Sequence, residues 1–142
     1  MSKITMTKNE YEALASFRYE LRKFLHFSRK VAASQGLAPQ QYLALLEIKG
    51  FPQGERVTIG KLAERLHIAP HSAVGLVDRL QEHGFVERTP SDQDRRCVYV
   101  SLTPSGETVL EQLAATHRTE LQSAGPLLTK LLKQLEHPAA KE

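Results

Sequence analysis

A chain of 142 residues, 41% hydrophobic and 25% charged, has the balance of one globular domain, which excludes wholesale disorder; no apolar run approaches the roughly 20 residues of a membrane span. The formal charge of +3 is mildly basic, short of the asymmetry of a histone or polybasic tail. One cysteine, Cys97, can form neither an internal disulfide nor a thiolate zinc site alone, and the start MSKITMTKNEYEAL lacks a signal-peptide core, so a cytoplasmic protein with no membrane partner is expected.

In chain order, residues 8–34 predict a long helix, with Tyr11, Leu14, Phe17, Leu21, Phe24 or Leu25, Ser28 and Val31 recurring three or four apart. Thr7 or Asn9 can cap its start, and Gly36 stands where a left-handed terminal glycine belongs. One small core cannot cover such a helix, so it must lie along another subunit or bridge two parts of the fold. Pro39 opens a second helix with Tyr42, Leu43, Leu45, Leu46 and Ile48 as its apolar set, and Gly50, Pro52 and Gly54 end it.

Thr58 is an N-cap for IGKLAERLH, whose Ile59, Leu62, Ala63 and Leu66 share a face. His67, Ile68 and Ala69 connect it to a helix that Pro70 begins and Gly84 ends. Two short helices around so brief a turn are a helix-turn-helix, here without the customary glycine. Its packing set reads as Leu62, Ala63, Leu66, Val74, Val77 and Leu80.

After Gly84 the period becomes two: FVERT and VYVSL flank the polar PSDQDRRC, predicting a hairpin with a charged tip. Thr103 then caps a helix at Pro104 with Glu107 nearby, running to about Ser123. Gly125-Pro126 is expected to break it before a last helix carrying Leu127, Leu128, Leu131, Leu132 and Leu135, with a frayed tail after His137. The fold class is therefore mainly α with a small β-wing (α+β).

The order of elements, together with DRLQEHGFVERTPSDQDRRCVYVSLTPSGE, resembles the MarR family of winged helix-turn-helix regulators of bacterial transcription. The resemblance runs from about Tyr11 to Leu135. Its most specific part is SDQDRRCVYVSLTPSG, which matches the wing pattern of D-x-R, V-x-L-T and a following glycine. It implies one domain over 1–142, with a DNA-binding winged part at 56–103 and dimerisation helices at 8–36 and 104–137. It also implies a transcriptional regulator, read here as a homodimeric repressor on a pseudo-palindromic operator and released by a small aromatic or acidic ligand.

On that reading the second helix of the pair enters the major groove, and its first residues, Pro70, His71, Ser72, Ala73 and Gly75, approach the base edges. His71 and Ser72 carry groups that donate and accept there, and the amides still free at the helix start favour a phosphate. Gly75 lets the backbone come close. Arg79 either reaches DNA or pairs with Glu82 or Glu87. Relatives often place polar or basic residues where this chain has Val74 and Gly75.

At the wing, Arg95 and Arg96 sit near the tip. By resemblance Asp94 and Arg96 are the D-x-R pair, the arginine entering the minor groove and the carboxylate holding its guanidinium. Thr58 and Lys61 are phosphate candidates. Leu14, Phe17, Leu127, Leu128, Leu131, Leu132 and Leu135 are the dimerisation candidates. Arg22, His26 and Arg29, interleaved with Tyr19, Phe24 and Phe27, are candidates for an effector carboxylate; the alternative is aromatics inward and basics in water.

No nucleotide-binding, hydrolase or metalloprotease motif appears, so no catalytic residue, cofactor or metal is expected. His67 and His71 have the spacing of zinc ligands, but Pro70 starts a new helix between them. Two rivals stay open: a winged-helix protein-interaction module, and a redox-responsive regulator using Cys97. Charge does not choose among them. Residues 1–36 hold seven Lys/Arg against three Asp/Glu, whereas residues 56–100 hold seven against six.

Overall fold

A computed structural model describes residues 3–94 and 96–136, in which five helices accompany one small antiparallel sheet. Helix α1 spans Lys8–Ser34 and α2 Pro39–Lys49; a 3-10 turn at Pro52–Gly54 leads to β1, Val57–Thr58. Helices α3 (Ile59–Leu66) and α4 (Pro70–Glu82) form the helix-turn-helix, β2 (Val86–Pro90) and β3 (Val98–Leu102) the wing, and α5 covers Pro104–Glu136. Arg95 and the tail from residue 137 lie outside the described residues. Among those that are described, no helix is long and apolar enough to cross a membrane. Two compact units result: Val31–Ala115, and Met1–Lys30 with Thr116–Glu142.

In the 31–115 unit, Leu45, Leu62, Val77, Leu80, Val86 and Leu113 are fully buried, drawn from α2, α3, α4, β2 and α5. The mutual burial of such side chains, each worth about 1.5–3 kcal/mol, is what holds short elements together. At the start of α2, Gln41 Oε1 accepts from the Ala38 amide at 2.7 Å, replacing a conventional cap. The sheet has the order β1-β3-β2, with Val57 opposite Val100 and Val86 opposite Leu102. The hairpin expected from the sequence is therefore one strand short. Only two residues pair in β1, too few to show an alternation, and Thr58 also caps α3 through a 3.1 Å bond from the Lys61 amide.

Helix α3 ends on His67, which adopts the left-handed conformation at φ 55° and ψ 44° where glycine is usual. The Ile68 amide closes the turn on Ala63 O at 3.0 Å, and the His67 ring stays in solvent. The expected packing set needs one correction. Val74 is 43% exposed, and Ala73 and Leu76 fill the inner face of α4 with Val77 and Leu80. Four residues advance a helix by slightly more than one turn, so 73, 76, 77 and 80 share the stripe and 74 faces away.

A tight clasp joins the end of α4 to the start of α5. Gly84 turns the chain at φ 77°, and its carbonyl accepts from Thr103 Oγ1 at 2.5 Å. The Thr103 amide donates to Phe85 O at 3.0 Å, and Thr103 Oγ1 caps α5 by accepting from the Gly106 amide at 3.1 Å. Gly106 is buried against this junction: a Cβ there would lie 2.0 Å from Phe85 O.

In the terminal unit, Thr7 rather than Asn9 caps α1, with Thr7 Oγ1 and Glu10 Oε1 exchanging backbone bonds of 3.1 and 3.0 Å. The covered stripe of this part of α1 is Ala13, Phe17, Glu20, Phe24 and Phe27. Tyr11, Leu14, Leu21 and Leu25 form a second stripe, 41–59% exposed, so the apolar set read from the sequence mixes two faces. Phe24 and Phe27 set their edges against His117, 5.9 and 6.0 Å between centroids, and His117 Nε2 lies 2.7 Å from Ser28 Oγ.

Helix α5 does not break at Gly125-Pro126. Proline removes one backbone bond, yet His117, Glu120, Ala124, Leu128, Leu131 and Leu135 continue one covered stripe past it, while Pro126 faces solvent. A periodic face on both sides outweighs the local breaker.

The clasp yields a stability prediction. Gly106→Ala should lower the free energy of urea unfolding by about 3 kcal/mol, against less than about 0.5 kcal/mol for the neighbouring exposed Ser105→Ala. Equal unfolding of Gly106→Ala and the wild-type chain would show that the α5 start is not pinned there.

Candidate nucleic-acid interface

The outer face of α4 carries the residues singled out in the sequence. Pro70 fixes the first turn; His71, Ser72 and Arg79 are exposed and Gly75 is half-buried with open space where a Cβ would stand. Ala73 does not belong with them, being fully buried. The helix start is also poorer in free donors than expected, because the Ser72 amide bonds Ala69 O at 3.0 Å. Side chains therefore carry most of the hydrogen-bonding capacity of this face.

Arg79 makes no ion pair with Glu82 or Glu87 among the described residues. The arginine that pairs with the helix is Arg88, on β2, which the sequence reading did not single out. Its guanidinium bonds Asp78 Oδ1 at 2.5 Å, Gln81 Oε1, and the Val74 carbonyl at 3.4 Å. One planar fork thus bridges three acceptors over two turns of α4, and it neutralises a carboxylate that would otherwise face outward. The pair is ten residues apart and lies on two elements, a separation without any local sequence signal.

At the wing tip, the Asp94 carboxylate does not hold the Arg96 guanidinium. Asp94 Oδ1 accepts from the Arg96 backbone amide at 2.9 Å, and Asp94 Oδ2 lies 3.6 Å from Cys97 Sγ. Ser91 Oγ accepts from the Gln93 and Asp94 amides at 3.2 and 3.3 Å, closing the other side of the turn. A carboxylate two residues ahead of an amide reaches that amide more readily than a long side chain. The result is a shaped turn that leaves the Arg96 side chain exposed with no carboxylate partner among the described residues. Arg95 lies outside the described residues.

The lower-ranked candidates are already engaged. Thr58 is half-buried and caps α3, and Lys61 Nζ sits 3.6 Å from Glu55 and 5.7 Å from the Phe51 ring centroid. Arg65 forms a two-point pair with Glu47 at 2.7 and 3.3 Å, which raises its already high pKa. His67 lies in the turn and His71 on α4, so the two do not share a helix face.

In the terminal unit, Arg22, His26 and Arg29 are all exposed, while Phe24 and Phe27 turn toward His117. The aromatics and basics thus divide between two sides, and Tyr19 stays outside, with Lys23 Nζ 5.8 Å from its ring centroid. A groove of about 450 Å³ in this unit is lined by Thr7, Glu10, Glu12, Ala13, Leu131 and Gln134 among others, and by none of the three basic candidates. Of the dimerisation candidates, Leu131 is buried within the unit and Phe17, Leu128 and Leu135 are half-buried, whereas Leu14, Leu127 and Leu132 stand 42–43% exposed.

The Arg88 fork is testable by itself. Arg88→Ala should lower the free energy of unfolding by about 1 kcal/mol, and Arg88→Lys should recover less than half, because one ammonium cannot reach all three acceptors. Full recovery by lysine in urea melts would reduce the contact to simple charge pairing.

Comparison with known proteins agrees with this geometry. A family model described as the MarR family matches residues 35–96, which contain the whole helix-turn-helix and the first strand of the wing. The chain is 29% identical to the transcriptional repressor MprA of Escherichia coli (strain K12) over 84% of this chain and 68% of MprA. Its fold is that of AbsC, a MarR family transcriptional regulator from Streptomyces coelicolor (TM-score 0.72, 22% identity, 94% and 93% of the two chains). It also matches a mutant of MepR from S. aureus bound to an oligodeoxyribonucleotide (TM-score 0.66, 19% identity, 94% and 99% coverage). At those identities the two structures speak for the fold alone. With the helix-turn-helix, the wing on a three-stranded sheet and the family match over residues 35–96 together, the chain is similar to the MarR family of winged helix-turn-helix transcriptional regulators.

Proposed function

We propose that this protein is a cytoplasmic homodimer that binds a pseudo-palindromic DNA operator and represses transcription until a small aromatic or acidic ligand releases it. The observation that carries DNA binding is the pairing of two exposed elements in one unit. His71 and Ser72 stand at the start of α4, and Arg96 stands on a turn that Asp94 shapes without neutralising the guanidinium. In this reading α4 occupies the major groove and Arg96 the adjacent minor groove, where a narrow A·T tract concentrates negative potential. MprA is itself named a transcriptional repressor, and the MepR structure holds an oligodeoxyribonucleotide, which favour the same assignment here.

Dimerisation rests on the second stripe of α1. Tyr11, Leu14, Leu21 and Leu25 are apolar and exposed along one side of the helix, and α5 exposes Leu121, Leu127 and Leu132. A helix with two apolar sides calls for a second covering surface. A two-fold dimer would supply it and would set two α4 helices against half-sites about 10 base pairs apart. Arg22, His26 and Arg29 are the cations proposed to meet an acidic effector.

The two halves of the proposal have separate measurements. Selection of bound sequences from random duplexes should return an inverted repeat. On it, Arg96→Ala should weaken binding roughly 10- to 100-fold and reduce the salt slope by about 2 for a dimer, whereas His71→Ala should change the preferred bases. No selected sequence, or binding indifferent to salt, would overturn the DNA reading. For assembly, light scattering at micromolar concentration should give twice the 15.9 kDa chain mass, and Leu14→Glu combined with Leu127→Glu should return the single mass. A monomeric wild-type chain would overturn the dimer.

A further inference from the structure

We infer that Val74 reads the 5-methyl group of a thymine in each operator half-site. This rests on the proposed DNA binding and adds a chemical identity for one base. The outer face of α4 is otherwise polar or bare: His71, Ser72, Asp78 and Arg79 are exposed, and Gly75 has no side chain. Beyond Pro70 at the first position, Val74 is the apolar residue exposed on that face, at 43%, while Ala73, Leu76, Val77 and Leu80 are at most 5% exposed.

Three features suit Val74 to touching a base. Its own turn is anchored, because Arg88 bonds the Val74 carbonyl at 3.4 Å and Asp78, one turn on, at 2.5 Å. A β-branched side chain on a helix has one strongly preferred rotamer, so little freedom is lost on contact. Beside it, a Cβ at Gly75 would meet nothing within 4 Å, which leaves room for the edge of a base pair to come up against the helix. The side chain carries no donor or acceptor and cannot match the polar atoms of guanine, adenine or cytosine. The thymine methyl is the apolar group the major groove offers. Val74 lies one turn beyond His71, about 4.5 Å along the axis, so its thymine falls within about one or two base pairs of the one His71 contacts.

The test uses the full-length chain and a duplex it selects from a random pool. Each thymine is replaced in turn by deoxyuridine, which removes the methyl and leaves every pairing and groove hydrogen-bonding atom in place. One thymine per half-site should show a loss of roughly fourfold, or about 15-fold when both half-sites are changed. Val74→Ala should bind the thymine and uracil duplexes within about twofold of each other; the position is exposed, so the variant should fold, and circular dichroism melts check that. Val74→Asn should shift the base selected at that position. If the wild-type chain selects no duplex, the DNA reading itself fails and this one with it. If it binds and no uracil substitution matters, or if the penalty is unchanged in Val74→Ala, DNA binding stands and Val74 is not the reader.

Discussion

The geometry of the winged unit depends on one short junction, the clasp of Gly84, Phe85, Thr103 and Gly106. Two adjacent carbonyls, at Gly84 and Phe85, are both satisfied by Thr103, and the same hydroxyl caps α5. Any side chain at 106 would collide with Phe85 O, so α5 can begin this close to the α4–β2 turn only through glycine. Because β3 ends at Leu102 and α5 begins at Pro104, the clasp sets the base of the wing and the exit of α4 in one piece. The threonine and glycine that look in sequence like a capped helix start are thus a junction between three elements.

A second constraint is electrostatic. The near-balance of charge in residues 56–100 says little by itself, since what matters is which charges are already matched. Asp78 is covered by Arg88, Lys61 lies by Glu55, and Arg65 is held by Glu47 from α2. Surface pairs of this kind add little stability, but they subtract charges from the exterior field. Arg79 and Arg96 remain exposed without carboxylate partners among the described residues, one on the helix and one on the wing, as does Arg56, which lies 4.1 Å from the Tyr99 ring centroid. A chain of modest net charge can therefore present cations at a few chosen places.

Much of this was legible in the sequence, for reasons that differ by element. The caps at Thr7, Thr58 and Thr103 and the stops at Gly36 and Gly84 are local interactions, so their residues announce them. What could not be read was non-local or too short. The Arg88–Asp78 contact joins two elements, and β1 offers only two residues to a period of two. The expected break at Pro126 failed because a local rule met a stripe that continues for several turns on either side. At the wing, the bonding differs from the expectation: Asp94 grips a backbone amide instead of a guanidinium. Identity of residues showed where the interface candidates are; only coordinates could show which atoms are already engaged.

The two stripes of α1 have a consequence for how such a chain can diverge. Ala13, Phe17, Phe24 and Phe27 face inward, and Tyr11, Leu14, Leu21 and Leu25 face out along the same helix. Substitutions in the outer series leave the inner packing untouched, so what the helix recognises outside its own chain is free to drift while the subunit keeps its shape. If that outer line is the proposed dimer surface, two gene copies that differ only along it would fold alike and cease to mix, which would insulate duplicated regulators in one cell from each other.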